Sequence, residues 1–281
     1  MLRIAVPNKG SLAEPAAEML HEAGYLSRRD PKELVLRDPD NDVELFFLRP
    51  RDIAVYVGSG TLDVGITGRD LLLDSGSTAR ETLALHFGAS TFRYAARPGV
   101  ASSVMDLDGR RIATSYPGLV TAHLAEHGVA ASVVRLDGAV ETAITLGVAD
   151  VIADVVETGT TLHQQGLTVF GEPILRSEAV LIRRDDAASA AVADVLGRRL
   201  QGVLVARRYV MMDYDVPVDL VDQACALTPG LESPTVSPLQ NREWVAVRAM
   251  VLRVGMNRVM DALYDLGARA ILVTDIAACR L

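Results

Sequence analysis

The stretch 150–162, DVIADVVETGTTL, places threonines and a glycine directly after a short apolar segment. The pattern predicts a strand that ends near Asp154 and a helix that begins near Thr160 or Thr161. Threonine hydroxyls and the first free N–H groups of a helix can hold a phosphate monoester, and a glycine lets the backbone approach it closely. We therefore expect a phosphate-binding loop formed by Glu157, Thr158, Gly159, Thr160 and Thr161.

Carboxylates accompany this loop. Asp154 and Glu157 would suit ribose hydroxyls or a magnesium ion, which prefers carboxylates and water. Glu141, in the segment 136–141 (LDGAVE), is predicted to lie in the first turn of a helix over 138–147 and to face the same crevice. Two plainer interpretations stay open. A threonine before a helix is often only an N-cap, and a glutamate in a first turn often only complements the helix dipole.

A second group of polar residues follows the first strands of the chain. Lys9 lies in the turn 7–12 (PNKGSL), with Ser11 as a candidate helix cap, and Lys9 and Lys32 are the only lysines in the sequence. An anion such as a phosphate chain is the natural partner of Lys9, although a solvated lysine in a turn is equally common.

Two further turns repeat this arrangement. Arg49 and Arg51 flank Pro50 at a predicted helix start, and the segment 63–70 (DVGITGRD) contains Gly65, Gly68, Arg69 and Asp70. Each could be solvated surface, but three polar strand-to-helix turns at one edge favour a binding site. Tyr116, after the predicted strand 111–115, could stack on a flat ring or simply pack.

The sequence contains no complete motif for a metal site or for a catalytic nucleophile. His123 and His127 are spaced four apart without the glutamate of a zinc-protease motif, and the VGSG at 57–60 is not a full dinucleotide fingerprint. No G-x-S-x-G is present. We therefore do not expect covalent catalysis.

The bulk composition narrows the class of protein. The 281 residues carry a net charge of −8, which argues against nucleic acid as the main partner. We find no export signal, no apolar run long enough to span a membrane and only Cys225 and Cys279, which do not make a disulfide framework. These features predict a cytoplasmic protein without a membrane partner.

Alternating short apolar runs and amphipathic segments predict an α/β fold with parallel sheets covered on both faces. Ligands are then expected at the carboxyl ends of the strands. The segment 174–183 (ILRSEAVLIR) is expected to return as extended chain to the first lobe. We expect lobe I to comprise 1–90 plus 181–207 and lobe II to comprise 91–180, with a ligand cleft between them. The βαββαβ order over 208–281 predicts a ferredoxin-like domain.

Four blocks closely resemble the ATP phosphoribosyltransferase family: RIAVPNKGSL, FFLRPRDIAVYVGSGTLDVGITGRDLL, DGAVE and DVVETGTTL. The resemblance spans the whole chain and implies the long form, with a two-lobed catalytic core like that of periplasmic binding proteins and a C-terminal regulatory domain. It implies that N1 of ATP attacks the anomeric carbon of phosphoribosyl pyrophosphate, with magnesium required and pyrophosphate leaving. Dimers and hexamers and inhibition by histidine are also implied. A site built for ATP could in addition accept AMP as a competitor, which the sequence does not decide.

The resemblance also assigns roles to residues. The loop 157–161 would hold the 5′-phosphate, with Asp154 and Glu141 near the ribose and magnesium. Asp154 departs from other phosphoribosyltransferases, which place two adjacent acids before the loop, because it has no acidic neighbour. The residues implied to line the nucleotide side are Lys9, Arg49, Gly68, Asp70, Ser90 and Tyr116. The residues implied to bind histidine are Asp215, Leu231, Thr235 and Ala270.

Two other functions fit the same pattern. A two-lobed protein that binds a small anion without catalysis would share the fold. An amino-acid sensor would use the C-terminal domain as its functional part. Release of pyrophosphate in the presence of both substrates and magnesium would distinguish an enzyme from either one.

Overall fold

The computed structural model describes residues 1–28, 30, 32–156, 160–184 and 187–280, without the side chains of 160–161 and 187–192. The chain forms two compact units, Met1–Gly197 and Arg198–Leu281. Within the described ranges, no helix has both the length and the apolar character needed to cross a bilayer.

The strands are, in chain order, β1 Leu2–Pro7, β2 Val35–Asp38, β3 Val43–Leu48, β4 Val64–Gly68, β5 Arg80–Ala84, β6 Ser90–Ala96, β7 Arg111–Thr114, β8 Ser132–Arg135, β9 Val151–Val156, β10 Thr168–Ser177, β11 Ala179–Arg183, β12 Tyr209–Pro217, β13 Thr235–Pro238, β14 Trp244–Leu252 and β15 Arg269–Asp275. The helices are α1 Ala13–Glu22, α2 Pro50–Gly58, α3 Arg69–Asp74, α4 Pro117–Glu126, α5 Thr142–Thr145, α6 Thr160–Gln164, α7 Ala187–Arg208, α8 Val221–Leu227 and α9 Met256–Leu266.

The first sheet has the order β2-β3-β1-β4-β11-β5. Strands β3, β1 and β4 are adjacent and parallel, so their carboxyl ends lie at one edge of the sheet. The turn before α1 and the starts of α2 and α3 follow these three ends. The predicted clustering of three polar turns at a single edge is therefore confirmed.

The second sheet has the order β10-β6-β9-β7-β8. Strands β8, β7 and β9 are parallel, whereas β6 runs antiparallel to both β9 and β10. The first sheet likewise has antiparallel pairs, β2 with β3 and β11 with both of its neighbours, β4 and β5. The prediction of parallel sheets therefore holds for the central strands only. Strands β6 and β11, where the chain crosses from one sheet to the other, run against the parallel strands, and β2 forms an antiparallel pair with its neighbour β3.

Apolar residues on both faces of the sheets supply the cores, as the Val/Ile/Ala-rich strands predict. Ala5, Val180 and Ile182 pack with Ile53 and Val57 of α2 on the first sheet. The second sheet has one buried cluster on each face, around Phe92 and Ile112 on one side and around Ala113 and Ile152 on the other.

Several local predictions need correction. The helix expected over 138–147 covers only Thr142–Thr145, so that Glu141 is its N-cap residue and not a first-turn residue. Ser11 is not a cap, because α1 begins at Ala13 and its N-cap residue is Leu12. The segment 174–183 is not one returning strand, since β10 belongs to the second sheet and β11 to the first. The lobe and domain boundaries as a whole stay a prediction.

The C-terminal unit has the predicted βαββαβ order, with the antiparallel sheet order β13-β14-β12-β15. Alternate residues of β12 (Val210, Met212, Tyr214 and Val216) are buried in a cluster that includes Leu263 of α9. Helices α8 and α9 both contribute to this one cluster and so lie on one face of the sheet, as in a ferredoxin-like domain. On the other face, Leu252 of β14 and Leu272 of β15 are exposed.

Candidate active site

The two sheets of the N-terminal unit meet where β10 ends and α3 begins. The Ser177 hydroxyl donates a 2.8 Å hydrogen bond to Oδ1 of Asp70, and the backbone N–H of Asp70 donates to Ser177 Oγ at 3.1 Å. Both residues are buried. A Cβ at Gly68 would lie 2.2 Å from Asp70 Oδ1, so the glycine makes room for the carboxylate. The site therefore places Gly68 and Asp70 together, as the sequence predicted.

Tyr116 lies beside this group. The guanidinium carbon of Arg51 is 4.8 Å from the centre of the Tyr116 ring, and the ring of Phe92 meets it edge-on at 5.0 Å. Burial raises the pKa of Tyr116 above its usual range, and the Asp70 carboxylate raises it further through its charge and a hydrogen bond. The ring is therefore packed on one side and borders the polar group around Asp70. Stacking of this ring on a ligand stays a prediction.

Asp154 lies near the end of β9, in register with Arg93 of β6. Burial raises the pKa of its carboxyl, the N–H of Val155 lowers it, and the charge of Glu141 raises it again. Two carboxylates that repel one another in a half-buried place are the hard oxygen donors that a divalent cation prefers. Within the described residues no cluster of three or more His, Cys, Asp or Glu forms a metal site, so this pair would leave most ligand positions to water or substrate.

The predicted phosphate loop follows β9. Its members Glu157, Thr158 and Gly159 lie outside the described residues, as do the side chains of Thr160 and Thr161. The backbone of α6 begins at Thr160, as predicted, and the helix spans five residues. A helix this short has free N–H groups at its start but few aligned peptide dipoles. Any anion binding here must therefore come mainly from local donors.

Ser90 lines a cavity of about 610 Å³ at the junction of the two sheets. The cavity reaches Val156, the residue immediately before the loop, and Ser177, the hydrogen-bond partner of Asp70. Arg69 also lines it and is held by Glu81 at 2.8 Å and Glu178 at 3.2 Å. The cavity therefore connects the proposed nucleotide side with the place where the phosphate loop begins.

Lys9 and Arg49 are both exposed at the turns after β1 and β3. Their position at one edge follows from the parallel pairing of these strands. Between them, Asn8 Nδ2 donates to the carbonyl of Phe47 at 3.5 Å, and its Oδ1 is buried without a partner among the described residues.

Sequence reasoning did not identify four polar residues of this region: Asn8, Asp74, Arg93 and Ser177. Arg93 donates to the carbonyl of Gly171, and its Nε is buried without a partner in the described part of the chain. Asn8 follows a strand in the same turn as Lys9, which was the one available signal. The contacts of Asp74 and Ser177 join distant segments and leave no local pattern.

The four residues expected to bind histidine lie in or beside the sheet of the C-terminal unit. Asp215 is on β12, where its register partners are Ala246 and Arg269. Thr235 begins β13, two strands away, and Ala270 has a positive φ of 50° in β15. Leu231 and Thr235 are exposed. A single copy of this unit therefore does not enclose these side chains in a pocket.

Comparison with known proteins agrees with these observations. The family model described as ATP phosphoribosyltransferase matches residues 49–202, and the model of the HisG C-terminal domain matches residues 206–278. The ATP phosphoribosyltransferase of Streptomyces coelicolor is 67% identical over 286 residues, and that of Salinispora tropica is 66% identical over 281 residues. In both comparisons all of each chain is covered.

Among solved structures, the ATP phosphoribosyl transferase (HisG:HisZ) complex from Thermotoga maritima is similar with a TM-score of 0.62 and 26% identity. The similarity covers 72% of this chain and 97% of the other. Together the two family models cover most of this sequence, and the relatives align from end to end. The chain belongs to the ATP phosphoribosyltransferase family, in the long form that carries a C-terminal domain.

Proposed function

We infer that this chain transfers the phosphoribosyl group of phosphoribosyl pyrophosphate to N1 of ATP, giving phosphoribosyl-ATP and pyrophosphate. This is the first step of histidine biosynthesis. The observation that carries the inference is the end-to-end identity of 66–67% with ATP phosphoribosyltransferases. The alternative of a binding protein without catalysis is not favoured.

The reaction needs no protein nucleophile. The lone pair of adenine N1 forms the new bond to the anomeric carbon, and the bond from that carbon to pyrophosphate breaks. The transition state has oxocarbenium character, so the protein can act by alignment and by stabilising charge. The half-buried carboxylate of Asp154 would stabilise positive charge on the ribose without forming a covalent bond.

We place the 5′-phosphate at the loop formed by Glu157, Thr158, Gly159, Thr160 and Thr161. Support comes from its position directly after β9, where Asp154 and Glu141 supply carboxylates for the ribose hydroxyls. We place ATP along the edge formed by Lys9, Arg49, Gly68, Asp70, Ser90 and Tyr116. The shared edge of β3, β1 and β4 and the cavity at Ser90 support this placement.

Enzymes of this family use a divalent metal, and we propose Mg²⁺ held near Asp154 and Glu141. The mutual repulsion of these carboxylates at a partly buried place supports the proposal, because a cation would relieve it. When bound, the metal would neutralise negative charge on the pyrophosphate as it leaves. The carboxylates themselves would orient the ribose.

We propose that the C-terminal unit binds histidine as an inhibitor through Asp215, Leu231, Thr235 and Ala270. The open face of its sheet leaves these residues unenclosed, which supports a site completed by a second copy of the chain. Dimers and hexamers would supply that copy. Competition by AMP at the ATP side and a cytoplasmic location stay predictions.

The direct test is to incubate the purified chain with ATP, phosphoribosyl pyrophosphate and Mg²⁺ and to measure pyrophosphate release. We expect release that requires both substrates, together with a product of ATP mass plus one phosphoribosyl group. Binding of either ligand without any pyrophosphate would contradict the inference and favour a receptor. Omission of each substrate in turn, and of the metal, provides the controls.

A further inference from the structure

Helix α4 is capped by a residue of α3, the helix that follows β4 of the other sheet. The N-cap residue of α4, Tyr116, makes no side-chain cap hydrogen bond. Instead Oδ1 of Asp74, the last residue of α3, accepts hydrogen bonds from the N–H groups of Gly118 at 2.8 Å and Leu119 at 3.2 Å. These are among the N–H groups that a helix leaves without an internal partner.

The two segments are in close contact at this point. A Cβ at Gly118 would lie 2.3 Å from the backbone oxygen of Asp74, so only glycine allows this approach. The Asp74 side chain is 8% exposed. The cap is therefore a built contact between α3, which follows β4 of the first sheet, and α4, which follows β7 of the second.

The second oxygen of Asp74 holds an arginine. Oδ2 accepts a 2.9 Å hydrogen bond from a terminal nitrogen of Arg51, and the guanidinium carbon of Arg51 lies 4.8 Å from the centre of the Tyr116 ring. Tyr116 is the residue directly before α4. One carboxylate therefore orients both members of this cation–ring pair, the arginine through Oδ2 and the tyrosine through the helix that follows it.

We propose that Asp74 is a positioning residue for the ATP side of the site, acting through Arg51 and Tyr116. The proposal rests on the proposed function, in which Tyr116 borders the nucleotide. A guanidinium held against a ring by a buried carboxylate loses little conformational freedom when a purine or a phosphate binds beside it. Without Asp74, Arg51 would be free to leave the ring and α4 would lose its cap.

Two substitutions separate the two tasks of Asp74. In Asp74→Asn the amide oxygen can still accept from Gly118 and Leu119, but the NH₂ group cannot accept from Arg51. In Asp74→Ala both contacts are lost. Asp150→Ala is the matched control, because Asp150 also accepts a backbone N–H and pairs with an arginine, Arg111, at 2.8 Å. Both partners of that control lie at the second sheet.

Steady-state kinetics give kcat and the KM of each substrate for these variants and for Arg51→Gln. Calorimetry gives the dissociation constant of ATP for the same proteins in the absence of the second substrate. We expect Asp74→Asn to raise the KM and dissociation constant for ATP about tenfold, the scale of one charge-assisted hydrogen bond. The KM for phosphoribosyl pyrophosphate should change less than about twofold. Asp150→Ala should leave both KM values at the wild-type level.

A double variant, Asp74→Asn with Arg51→Gln, tests whether Asp74 acts through Arg51. If Asp74 acts through Arg51, Asp74→Asn should add little to the loss already caused by Arg51→Gln. A full second tenfold loss, or equal rises in both KM values, would overturn the proposal. If Asp74→Ala fails to fold, Asp74→Asn still decides the question. A wild-type chain that binds ATP but releases no pyrophosphate refutes the proposed reaction alone, because the ATP dissociation constants still test Asp74.

Discussion

The hydroxyl of Ser177, at the end of one sheet's edge strand, donates a 2.8 Å hydrogen bond to the carboxylate of Asp70, in the helix that follows a strand of the other sheet. The two residues are separated by 107 positions in the chain. A polar contact of this kind, buried at the junction of the sheets, joins the fold of the N-terminal unit to the proposed nucleotide side. The connection can be tested by removing the hydroxyl.

Ser177→Ala should lower the free energy of unfolding by about 1–3 kcal/mol, because it removes one hydrogen bond to the buried Asp70 carboxylate and the acceptor of the Asp70 N–H. It should also weaken ATP binding, since the orientation of Asp70 depends on this bond. Chemical denaturation and calorimetry measure the two effects. Ser132→Ala, at an exposed strand serine of the second sheet, is the control. Equal stability of the two variants would show that the contact contributes nothing.

Gly118→Ala should destabilise the protein by about 1–3 kcal/mol, because the added methyl group would overlap the backbone of Asp74 and force α3 and α4 apart. Gly197→Ala is the matched helical control, since no atom of the described residues lies within 4 Å of its added Cβ. It should be neutral or should stabilise by about 0.4–1 kcal/mol. Thermal and urea unfolding of the pair decide the point; a neutral Gly118→Ala would refute the close approach.

Asp154→Asn should raise the melting temperature while abolishing most activity. The pKa of Asp154 is raised by burial and by Glu141, so the protonated form is favoured in the fold. The protonated carboxyl stabilises the fold fully below the pKa that Asp154 has in the unfolded chain. This stabilisation is lost as the pH rises through the higher pKa of the folded protein. At neutral pH the ionised carboxylate therefore destabilises the fold, and asparagine removes that cost.

The same variant tests the metal. Mg²⁺ should raise the melting temperature of the wild type by binding the carboxylate pair, and it should have little effect on Asp154→Asn. Asp150→Asn is the control with the opposite sign, because hydrogen bonds from Arg111 lower the pKa of Asp150 to about 2. Loss of that ionised group should lower the melting temperature. An Asp154→Asn protein less stable than wild type at about pH 7.5, well above the ordinary carboxyl pKa, would contradict this account.

The lowered pKa of the His123 imidazole should make the protein less stable in mild acid. Burial lowers its pKa, the charge of His127 lowers it further, and Glu126 opposes them; its Nδ1 lies 3.2 Å from the hydroxyl of Tyr94. The unfolded chain binds the proton more readily, so stability should fall as the pH drops below the ordinary histidine value of about 6.5. Melting curves of wild type and His123→Gln should diverge on acidification, and parallel curves would count against the sign of this shift.

Local sequence patterns predicted the elements well where neighbours along the chain determine them. The C-terminal unit has the predicted βαββαβ order because the apolar residues of a helix such as α9 recur at helical spacing along one face, where they pack on the sheet. The position of the three polar turns at one edge could be predicted because each turn joins a strand to the helix that follows it. The family resemblance supplied the roles of these turns.

Contacts between distant segments were not predictable in this way. Asp74 caps a helix 44 residues away, and Tyr116, at the position where a local cap is expected, carries no suitable side-chain contact. Strand β6 runs antiparallel to β9 because of the way the chain passes from the first sheet to the second. An alternation of apolar runs in the sequence does not contain this information. Helix α5 starts later than predicted because Gly138 and Ala139 have positive φ values of 136° and 47°, which are not helical. The amphipathic pattern does not reveal these φ values.

The central claim is that the threonine loop after β9 holds the phosphate of the activated sugar and not the nucleotide. The most direct measurement is the KM of each substrate for Thr161→Ala beside wild type. The account predicts that the KM for phosphoribosyl pyrophosphate rises about tenfold, for one lost hydrogen bond to a charged group, while the KM for ATP stays unchanged. A rise in the KM for ATP equal to or larger than that for the sugar would contradict it.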